Sequence, residues 1–210
     1  ESGFRMVPRS TRDIPIWTET GMDALTHALE ALASTRANYV SDILATQSAI
    51  DIMETLPIAY ENGADMHARE IMLQASMVAG MAFTNVSLGI VHSMARTLGG
   101  MFHVAHGLAD AILLPYIIRY NSTDAKAKEV YDTFAKKVGA ENLYEAVEKL
   151  NKRLNIPSCL QEVIPDEVAF VEKLDEMAAL AKADGCTKTN PIIPELEEFK
   201  ELFMKAYRGE

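Results

Sequence analysis

The chain has 210 residues, 49% of them apolar, and a formal net charge of −10, enough for one sizeable core or two small ones. The acidic balance argues against a nucleic-acid partner, and no apolar run reaches the roughly 18 residues of a membrane span. Residues 1–13 lack the apolar stretch of a secretory signal, and Cys159 and Cys186 are far from CxxC spacing, so two reduced thiols and a cytoplasmic location are expected.

Residues 1–20 carry Pro8, Pro15 and mixed polarity and read as an irregular segment or linker. A helix is expected from Gly21 to about Ser34. Residues 37–60 follow, apolar near a helical period, with Pro57 set to bend or end that helix and Asn62-Gly63 to close it. Residues 65–83 open on an acid and turn apolar all round, the pattern of a central buried helix. A helix over 87–97 should stop near Gly99-Gly100, and another should run from His106 towards Tyr120 with a kink at Pro115. Beyond Asn121 the pattern becomes amphipathic and charged, with helices expected at 124–138, 141–154, 166–184 and 195–207. Every lysine lies at position 126 or later. Lysine is seldom buried, so residues 21–121 read as core and the remainder as a solvated cover. There is no alternating strand pattern, no repeat, no GxGxxG and no P-loop. The fold class is therefore all-α, a bundle of eight or nine helices over 21–210.

Chemistry concentrates in GMDALTHALEAL and GIVHSMARTLGGMFHVAHGLADAILLP. Asp23 and His27 are four apart, one turn on one helix face. His92 and His106 follow. A carboxylate and three imidazoles suit Fe(II) or Zn(II). Burying them among apolar neighbours is costly unless they are paired or coordinated. Spacing alone leaves a metal set and satisfied core histidines both open. His103, three residues before His106, is either a proton relay for the same site or an exposed loop histidine, and His67, in ADMHARE, reads as solvated. A metal at such a site would ease deprotonation of an alcohol and polarise a carbonyl. The hydride carrier would have to be a separate nicotinamide.

These blocks, with MAFTNVSLGIVHSMARTLGG, HVAHGLADAILLPYIIRYN and the tail DGCTKTNPIIPELEEFKELFMKAY, resemble the iron-containing (group III) alcohol dehydrogenase family from about Thr20 to Tyr207. The resemblance implies its C-terminal helical domain only. An N-terminal nucleotide-binding domain that would hold NAD(P) is absent from these residues, and the isolated fragment is expected to be inactive. It implies Asp23, His27, His92 and His106 as metal ligands, Fe(II) with Zn(II) as the alternative, and Phe83 and Cys186 on the nicotinamide side. The implied substrate is a small alcohol or aldehyde, and the implied partner is the missing domain; the apolar face that domain would cover leads to the expectation of a homo-oligomer. The family usually reads HSMAH where this chain has HSMAR. Arg96 cannot act as a neutral proton relay, but it could hold an acidic substrate group or a cofactor phosphate. A catalytically silent metal-binding or interaction domain is the competing reading.

Overall fold

The computed structural model describes residues 16–210, with side chains from Thr18 onward. The described residues form ten α-helices, two short 3₁₀ turns and no strand: α1 (Ile16–Ala33), α2 (Tyr39–Glu61), α3 (Met66–Val86), α4 (Ile90–Phe102), α5 (His106–Asn121), α6 (Ala125–Lys137), α7 (Leu143–Arg153), α8 (Glu167–Glu172), α9 (Leu174–Ala183) and α10 (Leu196–Arg208). The all-α expectation holds. The tenth helix arises because 166–184 breaks at Lys173, letting Phe170 enter one part of the core while Met177, Ala178 and Ala181 enter another.

Residues 1–15 lie outside the described region, but the segment read as irregular to residue 20 is already helical from Ile16. Thr18, Met22, Leu25 and Leu29 form one buried stripe, and the polar identity of Thr18 hid its first member. Several boundaries also move where packing overrides local propensity. α2 runs through Pro57 to Glu61, because Leu56, Pro57 and Ala59 all remain buried. α4 runs through Gly99 and Gly100 to Phe102, anchored by buried Leu98 and by Phe102 stacking on Phe170 at 5.6 Å. His103, in the left-handed conformation at φ 57, ends it.

The central helix is α5 rather than α3. α5 is buried on all sides and packs against α1, α4, α7 and α10. It contains Pro115, whose missing N–H frees the carbonyl of Ala111 one turn earlier. Asn151 on α7 donates its side-chain amide to that carbonyl at 2.6 Å, so the proline is accommodated by a neighbour. α3 instead packs a small-residue face of Ala68, Ala75, Ala79 and Ala82 inward and leaves Met66, Leu73, Met77 and Met81 exposed. The lysine-bearing half is not a loose cover. Phe170, Phe199, Phe203 and Tyr207 are fully buried and continuous with the core of α1–α5. No single helix is long and apolar enough to cross a membrane among the described residues.

Candidate metal centre

Three polar side chains share one face of α1: Asp23, His27 four residues on, and Glu30 three beyond that. Such spacings stack side chains over successive turns. The opposite face, Met22, Leu25, Leu29 and Leu32, is buried and fixes the rotation of the helix. Two glycines then let other elements close on the polar face. A Cβ at Gly107 would lie 2.1 Å from the Glu19 carbonyl oxygen, so only glycine allows α5 to approach α1 this closely. A Cβ at Gly89 would lie 2.6 Å from the Asn190 side-chain oxygen and 2.8 Å from Glu30 Oε1.

Glu30 and Asn190 together serve the start of α4. The Val91 N–H donates to Glu30 Oε1 at 2.7 Å, and the Ile90 N–H donates to Asn190 Oδ1 at 3.3 Å. These are the free donors of a helix N-terminus, where a carboxylate is also favoured by the helix dipole. Asn190 is held in turn by a reciprocal amide pair with Asn121, at 2.8 and 3.2 Å. The other oxygen of Glu30 lies 2.6 Å from His92 Nδ1, which fixes the ring so that Nε2 turns towards α1 and α5.

The imidazole Nε2 atoms of His92, His27 and His106 lie 3.4, 3.6 and 3.8 Å from one atom, Asp23 Oδ1. The structure thus brings together all four residues singled out as ligands. It adds Asp110, whose Oδ2 is 3.3 Å from His106 Nε2 and 3.9 Å from His92 Nε2. The donor atoms of Asp23, His92, His106 and Asp110 all lie within 4.8 Å of one another, while His27 reaches the same Asp23 oxygen from the flank. The His27 ring is sandwiched between Phe83, 4.4 Å away, and His92, 4.5 Å away. The centre is deepest at His92 and Asp110, 1% and 0% exposed, and opens at His106, 43% exposed.

The donor set fits a divalent cation. Asp23 Oδ1, His92 Nε2 and both oxygens of Asp110 are buried with no hydrogen-bond partner, although nearly all such atoms in folded proteins have one. Separations of 3.4–3.8 Å are too long for hydrogen bonds. They match donors about 2.1 Å from a shared ion, which stand about 3.4 Å apart in a tetrahedron.

The charges of the site's own groups divide accordingly. Burial opposes a charge on His92, but the Glu30 and Asp110 carboxylates outweigh it and lift the imidazole to about 11. Burial and the neighbouring His92 charge bring His27 down to about 4, since two stacked rings cannot both be cations. Burial resists ionisation of Asp23, yet the adjacent His92 and His27 imidazoles outweigh it and bring its carboxyl down to about 2. Burial pushes the Asp110 carboxyl well up.

The other residues singled out from the sequence are more scattered. Phe83 packs directly on a ligand candidate. Arg96 donates through Nη1 to both oxygens of Asp184, at 3.0 and 2.8 Å, and lies 3.4 Å from Cys186 Sγ. It is a tethered cation rather than a free one. Cys186 and Cys159 are both unpaired thiols. His103 and His67 are exposed. Sequence reasoning missed Glu30 and Asp110, although both carried a signal: Glu30 continues the Asp23–His27 face, and Asp110 lies one turn after His106.

The family model described as Fe-containing alcohol dehydrogenase family, C-terminal, matches residues 17–207. The chain belongs to the iron-containing alcohol dehydrogenase family. The NADPH-dependent butanol dehydrogenase of Clostridium saccharobutylicum is 41% identical over 199 residues, covering 90% of this chain and 50% of that protein. The aldehyde-alcohol dehydrogenase of Streptococcus pneumoniae D39 is 39% identical over 91% of this chain and 24% of its own length. The solved iron-containing alcohol dehydrogenase of Thermococcus thioreducens superposes with a TM-score of 0.88 at 34% identity, covering 95% of this chain and 52% of that one. This member of the iron-containing alcohol dehydrogenase family therefore spans about half or less of the relatives it matches, and what it matches is their helical C-terminal part.

Proposed function

We propose that this chain is the metal-holding half of an iron-dependent, NAD(P)-linked oxidoreductase interconverting a primary alcohol and its aldehyde, with the nucleotide-binding domain supplied by sequence outside these 210 residues. Asp23, His27, His92 and His106 are the proposed ligands of Fe(II), with Zn(II) the substitute such donors accept. The observation that carries the reading is the set of three imidazole nitrogens 3.4–3.8 Å from one orphaned carboxylate oxygen. The alcohol class is supported by the names of relatives such as the butanol dehydrogenase and of the solved 1,3-propanediol oxidoreductase, 37% identical with a TM-score of 0.84. The bound ion would supply a Lewis acid that makes an alcohol oxygen easier to deprotonate and a carbonyl easier to reduce.

The protein's own groups prepare that step. Glu30 holds the His92 Nδ1 proton, so Nε2 would turn its lone pair to an ion once the second ring proton is displaced. Phe83 fixes the His27 ring and keeps water from that flank. Arg96, tethered by Asp184, sets a fixed positive charge beside Cys186 on the proposed nicotinamide side, suited to an anionic group of cofactor or substrate. His103, exposed at the end of α4, is the proposed proton carrier to solvent. The exposed side chains Leu73, Met77 and Met81 on α3 are a surface for the nucleotide domain or a second copy.

The test is elemental analysis of protein purified without chelator under reducing, oxygen-free conditions. Stoichiometric iron or zinc, lost in His92→Ala, is expected. So is hydride transfer only when a nucleotide-binding domain is present. Absence of stoichiometric metal, unchanged by that substitution, overturns the proposal.

A further inference from the structure

Asp110 has no role among the four ligands proposed above, yet it is the most deeply enclosed acid near them. It is 0% exposed, and neither carboxylate oxygen has a hydrogen-bond partner. Its surroundings are two imidazole nitrogens, His106 Nε2 at 3.3 Å and His92 Nε2 at 3.9 Å, and the oxygen of a second carboxylate, Asp23. An isolated carboxylate in such a place carries a large desolvation cost, and a neighbouring carboxylate adds repulsion. A cation shared by both acids removes both penalties. The geometry also favours one, because Asp110 lies one turn after His106 on α5 and the two side chains point at the same spot.

We propose that Asp110 supplies a second carboxylate to the metal centre, beside the four ligands Asp23, His27, His92 and His106. This rests on the metal-centre reading above and extends it. Two carboxylates neutralise a dication completely and make the donor set harder. A shell of four or five such donors, two of them oxygens, suits Fe(II) and Mn(II), whereas Zn(II) is content with a closed tetrahedron. In this chain the choice of metal is therefore set by Asp110 as much as by the histidines.

Asp110→Asn keeps the size of the side chain and removes its charge. In the full-length protein, chelator competition should show affinity for Fe(II) and Mn(II) falling by about tenfold or more, the scale of losses around metal sites, with Zn(II) affected less. The absorption spectrum of the Co(II)-loaded protein should change, because it reports the number and kind of donors. The gain in melting temperature on adding metal should shrink in the variant. Asp110→Ser should order the metals in the same way. Unaltered Fe(II), Mn(II) and Zn(II) affinities and an unaltered cobalt spectrum in both variants would overturn the proposal while leaving the four-ligand reading intact. Failure of the unsubstituted protein to bind any of these ions would overturn both.

Discussion

Glu30→Gln isolates the contribution of a residue that touches no substrate. Glu30 is 6% exposed and joins two groups: the Val91 N–H at 2.7 Å and His92 Nδ1 at 2.6 Å. Both are donors when His92 turns Nε2 to a metal, and a carboxylate accepts from both. Glutamine has the same length but only one accepting oxygen, and its amide nitrogen donates. One of the two buried donors must then lose its acceptor, a cost of about 1–3 kcal/mol. A second route gives a similar figure. Loss of the partner that orients a metal-binding histidine typically weakens metal affinity by about 10–100-fold, or about 1.4–2.7 kcal/mol. Chelator competition on folded protein, with helical content checked by circular dichroism, measures the loss directly. If Glu30→Gln binds metal as tightly as the unsubstituted protein, the claim that Glu30 aims His92 at the centre is wrong.

The remaining predictions concern how the helices are held and how the site titrates. Gly107→Ala forces a Cβ against the Glu19 carbonyl. It should destabilise the fold by about 1–3 kcal/mol or more in chemical denaturation and lower metal content as well, because α1 and α5 must separate; an unchanged denaturation midpoint would contradict the packing. Asn190→Ala breaks the amide pair with Asn121 and uncaps Ile90 at the start of α4. A loss of about 1–3 kcal/mol is expected in the same assay, together with looser metal binding through displaced His92. Metal affinity should rise with pH. The Glu30 and Asp110 carboxylates hold His92 protonated up to about 11 against the opposing effect of burial, so uptake near neutrality must displace that proton. His27, brought down to about 4 by burial, is already neutral there. Uptake in unbuffered solution should therefore release at least one proton per ion, and no detectable release would refute this assignment.

What the sequence determined by itself was mostly local. The spacing of Asp23 and His27 on one turn, the amphipathic pattern behind α6, α7 and α10, and the absence of strand alternation depend on neighbours within a few residues, and each was legible as a pattern. The convergence of His92 and His106 on Asp23 could be suspected from chemistry alone, because buried imidazoles and acids require partners. Tertiary structure decided the rest. Glu30 acts on a residue 62 positions away and Arg96 is tethered by one 88 positions away, separations to which no helical period is sensitive. Gly99 and Gly100 stay helical because Leu98 and Phe102 are anchored in the core, and Pro115 is tolerated because Asn151 on another helix reaches the carbonyl it leaves free. By sequence Asp110 is one acid in the apolar stretch GLADAILLP. It joins the candidate metal centre only because Gly107 lets α5 come close enough to α1 to set it beside Asp23.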